Sequence, residues 1–483
     1  MLKYQSMKKA QISDFWFYKF RYQITYGILF AAYIAIILYT IFVAPTGLTQ
    51  NEISSATKSA NLNLSNIFSS QILDFPFHIL QKASISVLGL SNFSIKLPAI
   101  LISIATVFAI IRLAHSWFER GTATLATIIA IASSQFFFFA QNGTPEILYT
   151  FYPIILILAG GDFLKTRSNK SLVIASLTLA LSLYTPLSIY IVLALALTVL
   201  AHPHLRFILI RGELSRRRKI IVGVIFAFAV LPLILAIAKD FSILKSIFGI
   251  PESLNIIENF NLLISNLFSF SSKNTGGVIS PIISPPVGIL IAIGLYFTFS
   301  AKHTPKSYLV NIWSVILLLV CLINPNLTTI LFTPVLLLTV TGLQSLIQTW
   351  YTIFPSNPYA RVSGLIPISF FVIGLLAASL NNFRLNYLYS PEIVANFNQD
   401  LKLLLESTDK NRKLLVSKTE KPFFEILEKQ KSAKIVSDFK DQEVILSKAI
   451  FDKMEIPKNY QIKKIVVSSY IANPDRFYIL KKN

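Results

Sequence analysis

Residues 22–44 read YQITYGILFAAYIAIILYTIFVA, a run without one charged side chain, and Lys8, Lys9, Lys19 and Arg21 precede it. A helix of about 20 apolar residues crosses a hydrocarbon core about 30 Å thick, so this run predicts a membrane span. It is longer than the apolar region of a cleavable leader and has no small-residue cleavage site, so it reads as an anchor that is retained. The same pattern recurs at 97–117, 121–141, 147–164, 171–184, 187–201, 220–238, 287–301, 308–323, 327–348 and 362–380, which predicts about eleven transmembrane helices. Composition agrees. Of 483 residues, 54% are hydrophobic and 14% charged, where soluble domains carry roughly a quarter charged. Disorder and collagen are excluded, and a single cysteine, Cys321, closes no bridge within the chain.

The formal charge of +21 would suit nucleic acid, but its placement argues for a membrane and against a nucleic-acid partner. Lys165, Arg167 and Lys170 precede the predicted hairpin at 171–201, and Arg206, Arg211 and Arg216 to Lys219 follow it. Basic clusters favour the cytoplasm. That assigns the cytoplasm to residues 1–21, the membrane domain to 22–380 with long outer loops at 45–96 and 239–286, and an extracytoplasmic domain to 381–483. The expected location is the plasma membrane. In the second loop, apolar residues of Asn255–Phe268 recur at helical spacing, and Gly276, Gly277, Pro281, Pro285 and Pro286 follow. This reads as an interfacial helix, in a connector or in a flap over an outer cavity. In the tail, strands are expected at 413–417, 433–437, 461–470 and 477–480 with a helix at 422–430, a small α/β domain.

Few acids fall on the outer face. Glu52 stands in Asn51-Glu52 just after the first span, Asp74 in Asp74-Phe-Pro76-Phe-His78, and Glu146 in Thr144-Pro145-Glu146. Pro and an acid also make an ordinary helix start. Partial burial raises a carboxylate's pKa and suits a general base, whereas paired acids can hold a divalent cation such as Mg or Mn, with Glu52 and Asp74 as ligands. Composition does not choose between these. Lys58, Lys82 and Lys96 lie on the same outer segments, where long side chains reach lipid phosphates, and His78 adds a donor or an acid–base group.

The order of these motifs resembles the GT-C membrane glycosyltransferases, in the branch of the protein mannosyltransferases and the lipid A aminoarabinose transferase. One span is followed by a loop opening on Asn51-Glu52, then acid–x–Pro at Asp74, Lys96-Leu97-Pro98 at the second span and Pro145-Glu146 at the fourth. The resemblance implies a GT-C fold and a dolichyl- or polyprenyl-phosphate-linked sugar as donor. The acceptor would be a lipid, glycan or protein. It also implies catalytic roles for Glu52, Asp74 and the position of Asn51, with Glu146, Lys96, Lys82, Lys58 and His78 binding substrate. The chain departs from the pattern at Asn51, where the family has an acid. It departs again at Phe75, where relatives often carry Lys, and at Thr185-Pro186, where they often carry Lys-Gly-Pro. A lipid or sugar transporter and a non-catalytic binding protein are the alternatives; the scarcity of ionisable residues within the spans weighs against ion-coupled transport.

Overall fold

The computed structural model describes residues 16–42, 47–63, 70–211, 215–251, 253–269, 281–301, 304–389, 401–407, 412–467 and 475–482. Helix α1 (Arg21–Phe42) is followed by two helices of the first long loop, α2 (Gln50–Ala60) and α3 (Phe75–Leu88). The bundle continues with α4 (Asn92–Trp117), α5 (Arg120–Ile131), α6 (Ser134–Gln141), α7 (Leu148–Thr166), α8 (Asn169–Ser182), α9 (Ile189–Ala201) and α10 (Arg216–Lys239). Then come α11 (Ser242–Phe248), α12 (Ile256–Phe268), α13 (Pro285–Ser300), α14 (Pro305–Ile323), α15 (Phe332–Ile353) and α16 (Pro358–Tyr389).

Every predicted span is helical, but the count of eleven crossings is not established. Among the described residues seven helices are long and apolar enough to cross a membrane. The number is nine if α5 with α6, bent by 57°, and α9 with its continuation to Leu209, bent by 93°, each form one span. α8 and α13, with 14 and 16 residues, fall short of that length. Lipid-facing character is visible on the outer helices, where Phe108, Phe228, Val362 and Phe370 expose more than half of their surface. A contiguous apolar surface of this kind is foreign to a soluble monomer.

The interior is packed by aromatic side chains. Phe136 to Phe139 are all buried, as core rather than lipid-facing residues. Tyr33 stacks on Phe137 at 5.8 Å and donates to Ser103 Oγ at 2.7 Å, and Phe138 meets Phe383 edge-on at 5.3 Å. α13 and α15 cross closely through two glycines. A Cβ at Gly294 would lie 2.2 Å from the Leu338 carbonyl oxygen, and one at Gly342 would lie 2.1 Å from that of Leu290. Small residues at such crossings let helix backbones approach where no hydrophobic effect drives association.

α16 runs on to Tyr389, past Asn381, where the polar tail was expected to begin. The tail then adds a short helix at Leu401–Ser407 and a mixed sheet of β1 (Arg412–Leu415), β2 (Ala433–Ile435), β3 (Glu443–Ser447), β4 (Tyr460–Val467) and β5 (Asp475–Lys482), in the order β2-β1-β3-β5-β4. β1 pairs in parallel with β2 and β3, whereas β5 is antiparallel to β3 and β4. Strand β3 had not been anticipated. The tail helix Lys421–Lys429 buries Phe423, Phe424 and Leu427 in one cluster with Ile53 and Ala56 of α2 and Ile85 of α3. Next to it, Gln430 accepts from Leu90 N at 2.8 Å and donates to the Ile85 carbonyl at 3.2 Å. The tail is therefore seated on the helix that carries Asn51 and Glu52.

Candidate active site at one end of the bundle

α2 begins with a capping box. Thr49 Oγ1 accepts from Glu52 N at 3.2 Å, and Glu52 Oε2 accepts from Thr49 N at 2.7 Å. The S/T-x-x-E pattern has this physical basis and stands in the sequence as Thr49-Gln50-Asn51-Glu52. The other carboxylate oxygen, Oε1, accepts from Gly143 N at 2.8 Å and lies 3.4 Å from Lys96 Nζ. Glu52 is 0% and Lys96 2% exposed. Lys96, expected to reach headgroups at the interface, is instead the buried counter-ion of Glu52. A Cβ at position 143 would lie 2.7 Å from Ile95 Cγ2 and 3.4 Å from Glu52 Oε1, so glycine admits the backbone to the carboxylate. Gln81, which carried no sequence signal, completes this junction. Its oxygen accepts from Ser55 and Ser59 hydroxyls at 2.9 and 2.6 Å, and its amide donates to the carbonyls of Ile95 and Gly143 at 2.9 and 2.8 Å.

Asp74 differs from Glu52. It caps α3 in a left-handed conformation, φ 57° and ψ 25°, with no side-chain cap bond. Its backbone N donates to the Tyr184 carbonyl at 2.9 Å, and its own carbonyl accepts from Phe77 N and His78 N. Left-handed backbone costs an L-residue roughly 1–2 kcal/mol, least for Asp and Asn. Oδ1 of Asp74 is buried without a hydrogen-bond partner. Burial pushes the carboxyl up to about 7, against the smaller opposing influences of the Thr185 side chain and the Lys58 charge. Glu146 lies in the 3-10 turn Pro145–Ile147 that leads into α7, with Asn142 Nδ2 at 3.4 Å from Oε2.

The three acids share one electrostatic neighbourhood. The charge of Glu52 reaches Glu146, and those of Asp74 and Glu146 both reach Tyr149. Tyr152, one helical turn further along α7, feels Asp74 as well. Beside Glu146 in the chain, the hydroxyls of Thr144 and Thr150 and the amide of Gln141 are buried without hydrogen-bond partners; the hydroxyls of Thr328 and Thr333, from the segment preceding α15 and its first turn, are too. Buried polar groups are nearly always satisfied, so these spare groups, in one electrostatic neighbourhood with a carboxylate that has an unpartnered oxygen, mark a place able to bind something polar. Neither the hydroxyls nor Tyr149 and Tyr152 were identified from sequence, because nothing in spacing distinguishes them from other helical residues.

The remaining candidates separate. Asn51, at the second position of α2, is partly exposed beside Glu52. Lys58 is exposed near the end of α2, and its charge reaches both Asp74 and His78. Lys82 donates to the Leu62 carbonyl. His78, expected at the surface, is 4% exposed, and its Nδ1 lies 2.8 Å from Ser59 Oγ. Burial, reinforced by Lys58, pushes its pKa down to about 4, so the ring is neutral at pH 7. The two departures from the family pattern meet: Phe75 packs against Tyr184 with ring centroids 6.1 Å apart, next to Thr185-Pro186. Among the described residues no three His, Cys, Asp or Glu side chains are grouped to ligate one ion. Of the two acids expected to hold a cation, Glu52 has both oxygens engaged and Asp74 has one unpartnered. Helix α12 is tied to the bundle rather than lying loose, through Asn259 to the Ile323 carbonyl at 2.8 Å and Asn266 to that of Pro325 at 3.0 Å. Gly276 and Gly277, on which the flap reading rested, lie outside the described residues.

Fold and site together define a multipass membrane protein whose buried polar groups gather at one end of an apolar bundle. Residues 76–235 match the family model of the dolichyl-phosphate-mannose-protein mannosyltransferases. The structure is similar to that of ArnT from Cupriavidus metallidurans bound to undecaprenyl phosphate, with TM-score 0.54 and 11% identity, covering 94% of this chain and 97% of that one. Against the same protein in the apo state the TM-score is 0.50 at 12% identity, over 95% and 98%. Comparison with curated proteins finds no match. The fold is thus shared with ArnT over nearly the whole of both chains.

Proposed function

We propose that the protein transfers a sugar from a polyprenyl-phosphate-linked donor to a lipid, glycan or protein acceptor at the outer face of the plasma membrane. The observation that carries this reading is Asp74, a carboxylate with one buried oxygen unpartnered and its proton affinity raised to near neutrality, among spare hydroxyls suited to a sugar. A base with a pKa near the working pH is effective. Asp74 takes the proton from the acceptor hydroxyl or amine. The acceptor atom forms a bond to the anomeric carbon as the bond to the phosphate oxygen breaks, and the lipid phosphate leaves with that electron pair. A single displacement inverts the anomeric centre. Lys58, whose charge reaches Asp74, meets the departing phosphate in this reading, and ArnT bound to undecaprenyl phosphate supports a lipid phosphate as its partner. Glu52 holds the junction of α2, α4 and residue 143 together.

The test is transfer by the purified protein from a polyprenyl-phosphate sugar in reconstituted vesicles. Asp74→Asn is expected to lower turnover by at least 100-fold, since general-base catalysis contributes roughly 10²–10⁴-fold, with donor binding retained. Undiminished turnover would remove Asp74 as the base. Asn51, in place of the family's acid, favours a second reading as a binding protein without turnover. Donor binding by the unaltered protein with no transfer to any acceptor class would establish that one.

A further inference from the structure

At the other end of the bundle lies a cavity of about 910 Å³, at the upper end of the range for ligand pockets. It is lined by α7, α8, α9, α10, the end of α4 and the start of α14, and is open on one side. Lys165, at the end of α7, is about 30 Å along the helix axis from Glu146 at its start, so this cavity is separate from the acids. Its walls are apolar, as in Leu156, Leu179 and Phe226, whereas Lys165, Arg218, Lys219 and Lys306 stand at its edge.

Two features distinguish it from an accident of packing. Gly160, Gly161 and Gly223 line it, and a Cβ on any of them would meet nothing within 4 Å. They contrast with Gly294 and Gly342, where a Cβ would strike a neighbouring backbone. Here the missing side chains leave volume instead of allowing contact. Three of the four cations also bond to neutral partners. Lys165 donates to Ser116 Oγ at 2.9 Å, Lys306 to the Trp117 carbonyl at 2.8 Å and Arg218 to the Arg167 carbonyl at 3.3 Å. Among the described residues none of the four is ion-paired with a carboxylate. The charge of Lys165 is felt at Lys306, so like charges stand close together, an arrangement that an anion relieves.

We propose that this cavity is a binding site for an anionic glycerophospholipid of the bilayer, its acyl chain along the glycine-lined wall and its phosphate among Lys165, Arg218, Lys219 and Lys306. Attraction of anionic lipid to basic clusters at a membrane surface is general; the apolar slot beside this one is what makes it a site. The experiment uses the full-length protein in neutral detergent, melted with increasing phosphatidylglycerol, with phosphatidylcholine of the same chains, or with inorganic phosphate. A saturable rise in Tm is expected with phosphatidylglycerol alone. Native mass spectrometry should show phosphatidylglycerol retained on the chain in the same order. Both effects should be lost in Lys219→Ala/Lys306→Gln and in Gly161→Leu, which only adds volume where space is open and so remains folded. Equal stabilisation by phosphatidylcholine, an equal effect of inorganic phosphate, or retention of the lipid by Gly161→Leu would each overturn the proposal.

Discussion

Asp74 and Glu52 are both carboxylates at one end of the bundle, and their surroundings give them opposite work. Glu52 has each oxygen bonded and a buried ammonium beside it, so removing its partner leaves a lone charge. Lys96→Ala is expected to destabilise the protein by about 3–5 kcal/mol, as breaking a buried pair typically does. Lys96→Met with Glu52→Gln should recover much of that loss in denaturant melts. Asp74 is costly to ionise. Its folded pKa, about 7, lies above the ordinary 3.8, so the folded state holds the proton more tightly than the unfolded. Its contribution to stability is complete below pH 4 and is lost as the pH rises to about 7. Asp74→Asn, which tolerates the same left-handed backbone, should therefore melt higher than the unaltered protein at pH 8 and alike at pH 4. Over the same interval transfer should rise with pH through about 7 and then level, a profile that pH–rate measurements would read directly. Lys58→Ala should raise KM for the lipid-linked donor and leave folding unchanged, since the side chain is exposed.

At the scale of elements, the crossing of α13 and α15 depends on two absent side chains. Gly342→Leu would drive a side chain into the Leu290 carbonyl. The variant is expected to lose folded yield on size-exclusion chromatography, whereas Gly374→Leu, with open space around it, should not. Span positions were legible because a helix in lipid must satisfy its backbone internally and cover it with apolar side chains. The bends within the α5–α6 and α9 segments were not. A 57° or 93° break leaves composition untouched, and only the neighbouring helices fix it. The likeness to a family pointed Glu52 toward catalysis, whereas in the structure it closes the capping box of α2.

For the whole molecule, charge asymmetry predicts that the acids face outward and the basic edge of the lipid cavity faces the cytoplasm. Lys58→Cys should react with a membrane-impermeant maleimide on intact cells, and Lys170→Cys only after permeabilisation. Cys321 is buried and gives no background. Labelling in the reverse order would invert the topology and move the proposed transfer to the other face. The tail domain packs through Phe423 and Phe424 on α2, the helix that carries Asn51 and Glu52, and through Gln430 on Leu90. That contact joins residues more than 300 positions apart, so no local pattern announced it.

By itself the sequence determined that this is a polytopic helical protein with a mixed polar tail, where its helices fall, and which segments bring acids toward one surface. Those properties are additive over neighbouring residues: apolar length, charge placement and cap signals. Which carboxylate is free and which is bound was decided only by tertiary structure. Gly143, Lys96 and Thr49 converge on Glu52 from three segments, whereas Tyr184 and the turn at Thr185 fix the backbone and surroundings of Asp74. Burial and hydrogen bonding depend on partners remote in the chain, and the same residue type becomes a strut or a reactive group according to who arrives beside it.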